Sequence, residues 1–86
     1  MNEETKPKIP ALLLEGITNY VEHRVKPGGF LSSVLQNDLV RAYGRADEES
    51  LRALPQIINY LNANVPATCW GSPEKYSDWL AKKDLE

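Results

Sequence analysis

The residues best equipped for covalent chemistry are Cys69 and His23, the chain's one thiol and one imidazole. A thiolate activated by imidazole is a route to nucleophilic catalysis, provided that the base lies within hydrogen-bond reach and a third group orients it. No orienting group or oxyanion signature accompanies this pair. Cys69 precedes Trp70 in a small apolar context that suits a packed thiol, and His23 falls near a helix C-terminus, where positive charge is favoured. Glu48 and Glu49 are adjacent, and adjacent helical residues point in different directions, so they serve a helix cap better than a catalytic pair. One Cys and one His cannot complete a tetrahedral metal site. The sequence therefore predicts no catalytic residues, no metal centre and no cofactor.

Residues suited to binding are more numerous. In HRVKPGGF, His23–Phe30, two glycines precede a helix and let backbone approach an anion closely, while Arg24 and Lys26 add positive charge. A Pro-Gly-Gly turn between antiparallel helices accounts for Gly28 and Gly29 equally well. Asn37, Arg41 and Arg45 form a polar flank that could read a ligand or simply face water. In CWGSPEK, Cys69–Lys75, Trp70 offers a stacking plate beside a second helix start at Ser72; the alternative is that Trp70 fills the core and Ser72 only caps. Arg24, Lys26, Gly28, Gly29, Asn37, Arg41, Arg45, Trp70 and Ser72 are thus the candidate ligand-binding residues.

Helices must position these groups. Leu13, Leu14, Ile17, Tyr20, Val21 and Arg24 recur at steps of three and four, which predicts a helix from Pro10 to Val25, ended by Pro27 and the glycines. Leu31, Val34, Leu35, Leu39 and Ala42 form a stripe predicting a second helix from Phe30 to Tyr43, with Ser33, Asn37 and Arg41 on its other side and Gly44 as its stop. Asp47 is placed to cap a third helix, with Glu48 and Glu49 in its first turn. Leu51, Leu54, Ile58, Leu61 and Val65 make its expected buried seam. Pro55 predicts a kink or break near Ala53. Ser72, Pro73 and Glu74 open a last helix carrying Tyr76, Trp79 and Leu80, with Lys82 and Lys83 near its end before a frayed Asp84–Glu86.

The expected fold is all-α, a compact bundle of about four short helices. Met1–Lys8 reads as a disordered tail and residues 9–86 as a single helical domain. A chain of 86 residues carries one core of modest size, which an interface would supplement. A dimer or higher symmetric oligomer, formed through the Leu51, Leu54, Ile58, Leu61 seam, is expected. Twelve acidic against ten basic residues, a net charge of -2, disfavour general nucleic-acid binding. The longest apolar run, Ala11–Leu14, is too short to span a membrane, and no signal-peptide pattern opens the chain. With its lone cysteine, a cytoplasmic location is expected.

PGGFLSSVLQNDLVRAYGRAD, Pro27–Asp47, and NVPATCWGSPEKYSDWL, Asn64–Leu80, resemble motifs of a group of small, largely uncharacterised proteins of tailed phages and prophages. The resemblance runs from Ile9 to Leu80, with GGFL, NDL, GRAD and CWGSPEK in order. It implies a phage-type accessory protein in an infected or lysogenic bacterial host, and carries no catalytic assignment. Asn37, Asp38, Gly44, Arg45, Ala46 and Asp47 are the matching positions that core packing explains least. By analogy of size and context, the expected function is non-enzymatic binding, as a homo-oligomer, of a small anionic nucleotide-like ligand of host defence signalling. The rival is an adaptor or inhibitor docking on a host or phage protein without a small ligand. A small hydrolase using Cys69 or a carboxylate is a third, weaker option.

Overall fold

The computed structural model describes residues 9–82, all of whose regular structure is helical. The sequence readings on Met1–Lys8 and on Lys83–Glu86 lie outside those residues. Among the described residues there are five helices, α1 Ala11–His23, α2 Gly29–Leu35, α3 Leu39–Arg45, α4 Glu48–Asn64 and α5 Pro73–Ala81, rather than about four.

Helix α1 stops two residues before the expected Val25. Arg24 takes a left-handed conformation, φ 54°, and the Val25 N–H donates to the Asn19 carbonyl. The chain is thus reversed by Arg24, while Gly28 is extended (φ −68°, ψ 177°) and neither Gly28 nor Gly29 has positive φ. A left-handed arginine costs of order 1–3 kcal/mol, so its side chain must be held by compensating contacts. They exist: its guanidinium lies 4.1 Å from the centre of the Trp79 ring, whose Nε1 donates to the Tyr20 carbonyl at 2.9 Å.

The single helix expected from Phe30 to Tyr43 is two helices. Asn37 adopts φ 62°, its N–H donates to the Val34 carbonyl, and the Asp38 N–H donates to the Ser33 carbonyl, a pair of bonds that closes α2. The Asp38 carboxylate then caps α3 by accepting from the Arg41 N–H at 3.2 Å. The apolar spacing runs straight through this break and conceals it. Beyond the break Leu39 is exposed and only Ala42 of α3 is buried. Gly44 is not a stop either: it lies inside α3, which ends where Ala46 extends into the cap of α4.

Helix α2 is the centre of the fold, buried from Phe30 to Leu35 and packed on α1, α3 and α5. A helix apolar on one face would not survive there, so its two serines satisfy themselves. The Ser33 hydroxyl donates to the Gly29 carbonyl at 2.9 Å. Ser32 Oγ donates its one hydrogen to the Pro27 carbonyl at 3.1 Å, so in the 2.6 Å contact with Tyr76 the phenol must be the donor.

Helix α4 runs unbroken through Pro55, so of the expected kink or break near Ala53 the break does not occur. Pro55 is exposed, where water can take the carbonyl its missing N–H leaves. Of the expected seam Leu61 and Val65 are buried, but its first three positions are one residue out of phase. Ser50, Ala53, Ile57 and Leu61 face the core, while Leu51, Leu54 and Ile58 are half-buried. Asp47 caps α4 as expected, accepting from the Ser50 N–H at 2.7 Å, and Ser72 caps α5 by accepting from Lys75 N–H at 3.1 Å. Tyr20 and Tyr76 stack with centroids 5.5 Å apart, and the Tyr20 hydroxyl donates to the Cys69 carbonyl at 2.7 Å, tying α1, α5 and the connection before α5 together.

Candidate functional site

Lys26, from the connection between α1 and α2, meets Arg41 and Arg45 of α3 on one groove. Pro27, with no N–H, directs the chain from Lys26 into α2, and Gly29 opens that helix without a Cβ. Arg41 and Arg45 stand four residues apart on α3, hence on one face. The result is a cleft of about 350 Å³ lined by Lys26, Gly29, Arg41 and Arg45, with Ser32, Ser33, Gln36 and Tyr76 as its neutral polar atoms. No carboxylate is among its lining residues.

Arg45 reaches the groove by lying over Gly29. A Cβ at Gly29 would fall 2.8 Å from Arg45 Nη1 and 3.1 Å from its Cδ, so only glycine leaves room for that side chain. Among the described residues the ion pairs are Arg41 with Asp38 at 3.5 Å and Arg52 with Glu48 at 3.2 Å. Arg45 therefore pairs with neither Asp47 nor Glu48. The neutral lining is already partly committed: Gln36 Nε2 donates to the Ser32 carbonyl at 3.0 Å, which orients its amide oxygen, and Tyr76 donates to Ser32. Exposed Lys26, Arg41 and Arg45 thus provide the groove's charge.

Of the nine candidate residues, Lys26, Gly29, Arg41 and Arg45 are brought together here, and Gly28 lines the adjoining cleft. The others are used elsewhere. Arg24 is taken up by Trp79, Asn37 forms the left-handed end of α2, Trp70 is half-buried against the core, and Ser72 caps α5. Residues the sequence reading passed over are Ser32, Ser33, Gln36 and Tyr76. The apolar periodicity puts Ser33 on an outer flank with Asn37 and Arg41, a grouping the turn at Asn37 breaks. Adjacent serines inside an apolar run were the available signal that both would have to find partners.

Cys69 is fully buried and His23 is exposed, so they do not form a nucleophile and base. Burial pushes the Cys69 thiol up, a hydrogen bond with Thr68 and the charges of Arg24 and Lys82 opposing it only in part. Burial likewise pushes the Tyr20 phenol up. Among the described residues no three His, Cys, Asp or Glu side chains gather, and no helix is long and apolar enough to cross a membrane.

A different kind of surface lies on α3, where Leu39, Val40 and Tyr43 are 66, 84 and 64% exposed. Beside them a small, mostly apolar dent is lined by Val34, Leu39, Ala42, Leu54 and Ile58, with Asn37 and Asp38 at its edge. In comparisons with known proteins, no family model, no curated protein and no solved structure matches the chain.

Proposed function

We propose that this chain is a phage-type accessory protein that binds without catalysis, holding and sequestering a small anionic, nucleotide-like ligand of host defence signalling in the cytoplasm of an infected or lysogenic bacterium. The observation that carries the binding reading is the convergence of Lys26, Arg41 and Arg45 on one groove with no carboxylate among its lining residues, Asp38 pairing with Arg41 from outside that lining. Two guanidiniums and an ammonium around a polar cleft suit phosphate oxygens, to which arginine can present paired donors. All three side chains are exposed, so the attraction is screened by salt and depends on ligand geometry for strength. The phage-type setting rests on the motif resemblance alone.

Calorimetry with cyclic and linear nucleotides tests this. Binding is expected in the parent, weakening as salt rises, and Arg45→Ala is expected to abolish it while circular dichroism stays that of the parent. No heat and no thermal shift across the panel would overturn the ligand reading.

The exposed Leu39, Val40 and Tyr43 favour a second reading, an adaptor or inhibitor docking on a host or phage protein. They also support self-association, since a chain of this size gains from burying such a patch against another copy. Of the expected seam, Leu61 is fully buried within the protomer, while Leu51, Leu54 and Ile58 are half-buried. Sedimentation equilibrium is expected to give a dimer or higher oligomer that Val40→Glu dissociates; a strict monomer at micromolar concentration counts against it.

A further inference from the structure

The cationic groove does not end at Arg45. A second cleft of about 320 Å³ shares Pro27, Gly29 and Arg45 with it, so the two meet along that border. This second cleft has an apolar wall that includes Leu12, Leu13, Phe30 and Leu31, and its ionisable groups are Arg45 and Asp47. Leu12 is 81% exposed, leaving apolar surface open to a ligand. Each cleft alone lies near the lower end of small-ligand sites, roughly 300–1,000 Å³, and the two together lie well inside that range.

We infer that the joined clefts form one site for a guanine nucleotide, with phosphate among Lys26, Arg41 and Arg45 and the base against Leu12 and Leu31, its N1–H and 2-amino group donating to the Asp47 carboxylate. The inference rests on the anion-binding reading above and adds the identity of the base. An ionised carboxylate only accepts hydrogen bonds. Guanine alone among the common bases presents two adjacent donors on its pairing edge. Adenine sets its N1 acceptor beside its amine, cytosine sets N3 beside its amine, and uracil flanks its one N–H with carbonyls, so each would turn a lone pair toward Asp47.

The carboxylate is prepared for that role. Asp47 Oδ1 accepts from the Ser50 N–H at 2.7 Å, which fixes the group at the start of α4 and leaves lone pairs on both oxygens. The Ser50 N–H first, then the Ser50 hydroxyl, hold its carboxyl below the ordinary value, which keeps it in the ionised form that such an acid already has at neutral pH. Its charge also repels phosphate from the apolar cleft, which sets the ligand's direction across Arg45.

Calorimetry with GMP, IMP, AMP and inorganic pyrophosphate, on the parent and on Asp47→Asn, tests the assignment. Asparagine caps a helix about as well as aspartate, so α4 is kept. GMP is expected to bind the parent about tenfold or more tightly than AMP, with IMP between them because it lacks the 2-amino group. In Asp47→Asn that preference is expected to vanish while pyrophosphate binds at least as well. Equal affinity for GMP and AMP, or a preference that survives Asp47→Asn, overturns the guanine assignment and leaves the anion reading standing. No binding of pyrophosphate or any nucleotide overturns both. Leu12→Ser supplies an independent check: weaker GMP binding with unchanged pyrophosphate binding supports the placement of the base, and unchanged GMP binding refutes it.

Discussion

The Arg45 side chain lies across Gly29, close enough that a Cβ would meet its Nη1 at 2.8 Å. Two segments sixteen positions apart in the chain are thereby matched, a missing side chain on α2 and a long cationic one at the end of α3. Gly29→Ala is expected to displace the guanidinium, a flexible group that moves at little cost, and to weaken anion binding about tenfold, the equivalent of one charge-assisted hydrogen bond. Stability should hold or rise by up to about 1 kcal/mol, because alanine suits a helix better than glycine. Calorimetry and urea unfolding on the same variant separate the two effects; unchanged affinity would show that the position of Arg45 does not matter.

Tyr20→Phe removes the donor to the Cys69 carbonyl and leaves that oxygen buried without it. The loss is expected to be about 1–3 kcal/mol, and a chain of this size loses roughly 4–8 °C in Tm for each kcal/mol. Urea unfolding measures it. A variant as stable as the parent would mean that water replaces the phenol.

The Cys69 thiol is fully buried and its ionisation is pushed up by burial, so a thiol reagent at neutral pH should modify it only as the protein unfolds. Cys69→Ser is expected to cost about 1–2 kcal/mol and to leave ligand binding intact. Rapid labelling of the folded protein would contradict the packing, and loss of binding in a folded serine variant would contradict the structural role.

Acid stability reports on the start of α4. The Ser50 N–H lowers the Asp47 carboxyl below its ordinary 3.8, so folding is favoured by this group above that value and the contribution is lost as pH falls through the lower folded value. Asp47→Asn removes the titration. Thermal melts between about pH 5 and pH 2 should fall less steeply in the variant than in the parent. Parallel melting curves would place the acid sensitivity elsewhere.

Side-chain capping is local enough to be legible in the sequence. The caps at Asp47 and Ser72 are bonds from a side chain to an N–H three residues on, and they form in the positions their spacing indicates. The break at Asn37 was also written in the chain, as Asn37 followed by Asp38 before Leu39, but the apolar stripe from Leu31 to Ala42 continues across it and outweighs that signal.

By itself the sequence determined the helical class and the caps that start α4 and α5, because periodicity and capping act within a turn or two of chain. Tertiary structure decided the phase of the first turns of α4, where Ser50 and Ala53 are buried and Leu51 and Leu54 only half-buried. It also decided which cations share a site. Arg24 and Arg45 look alike in sequence, each beside a break, yet Trp79 from α5 claims the first and Gly29 from α2 makes room for the second. A charge is assigned to structure or to binding by what distant residues leave beside it, and only the packed chain brings those residues there.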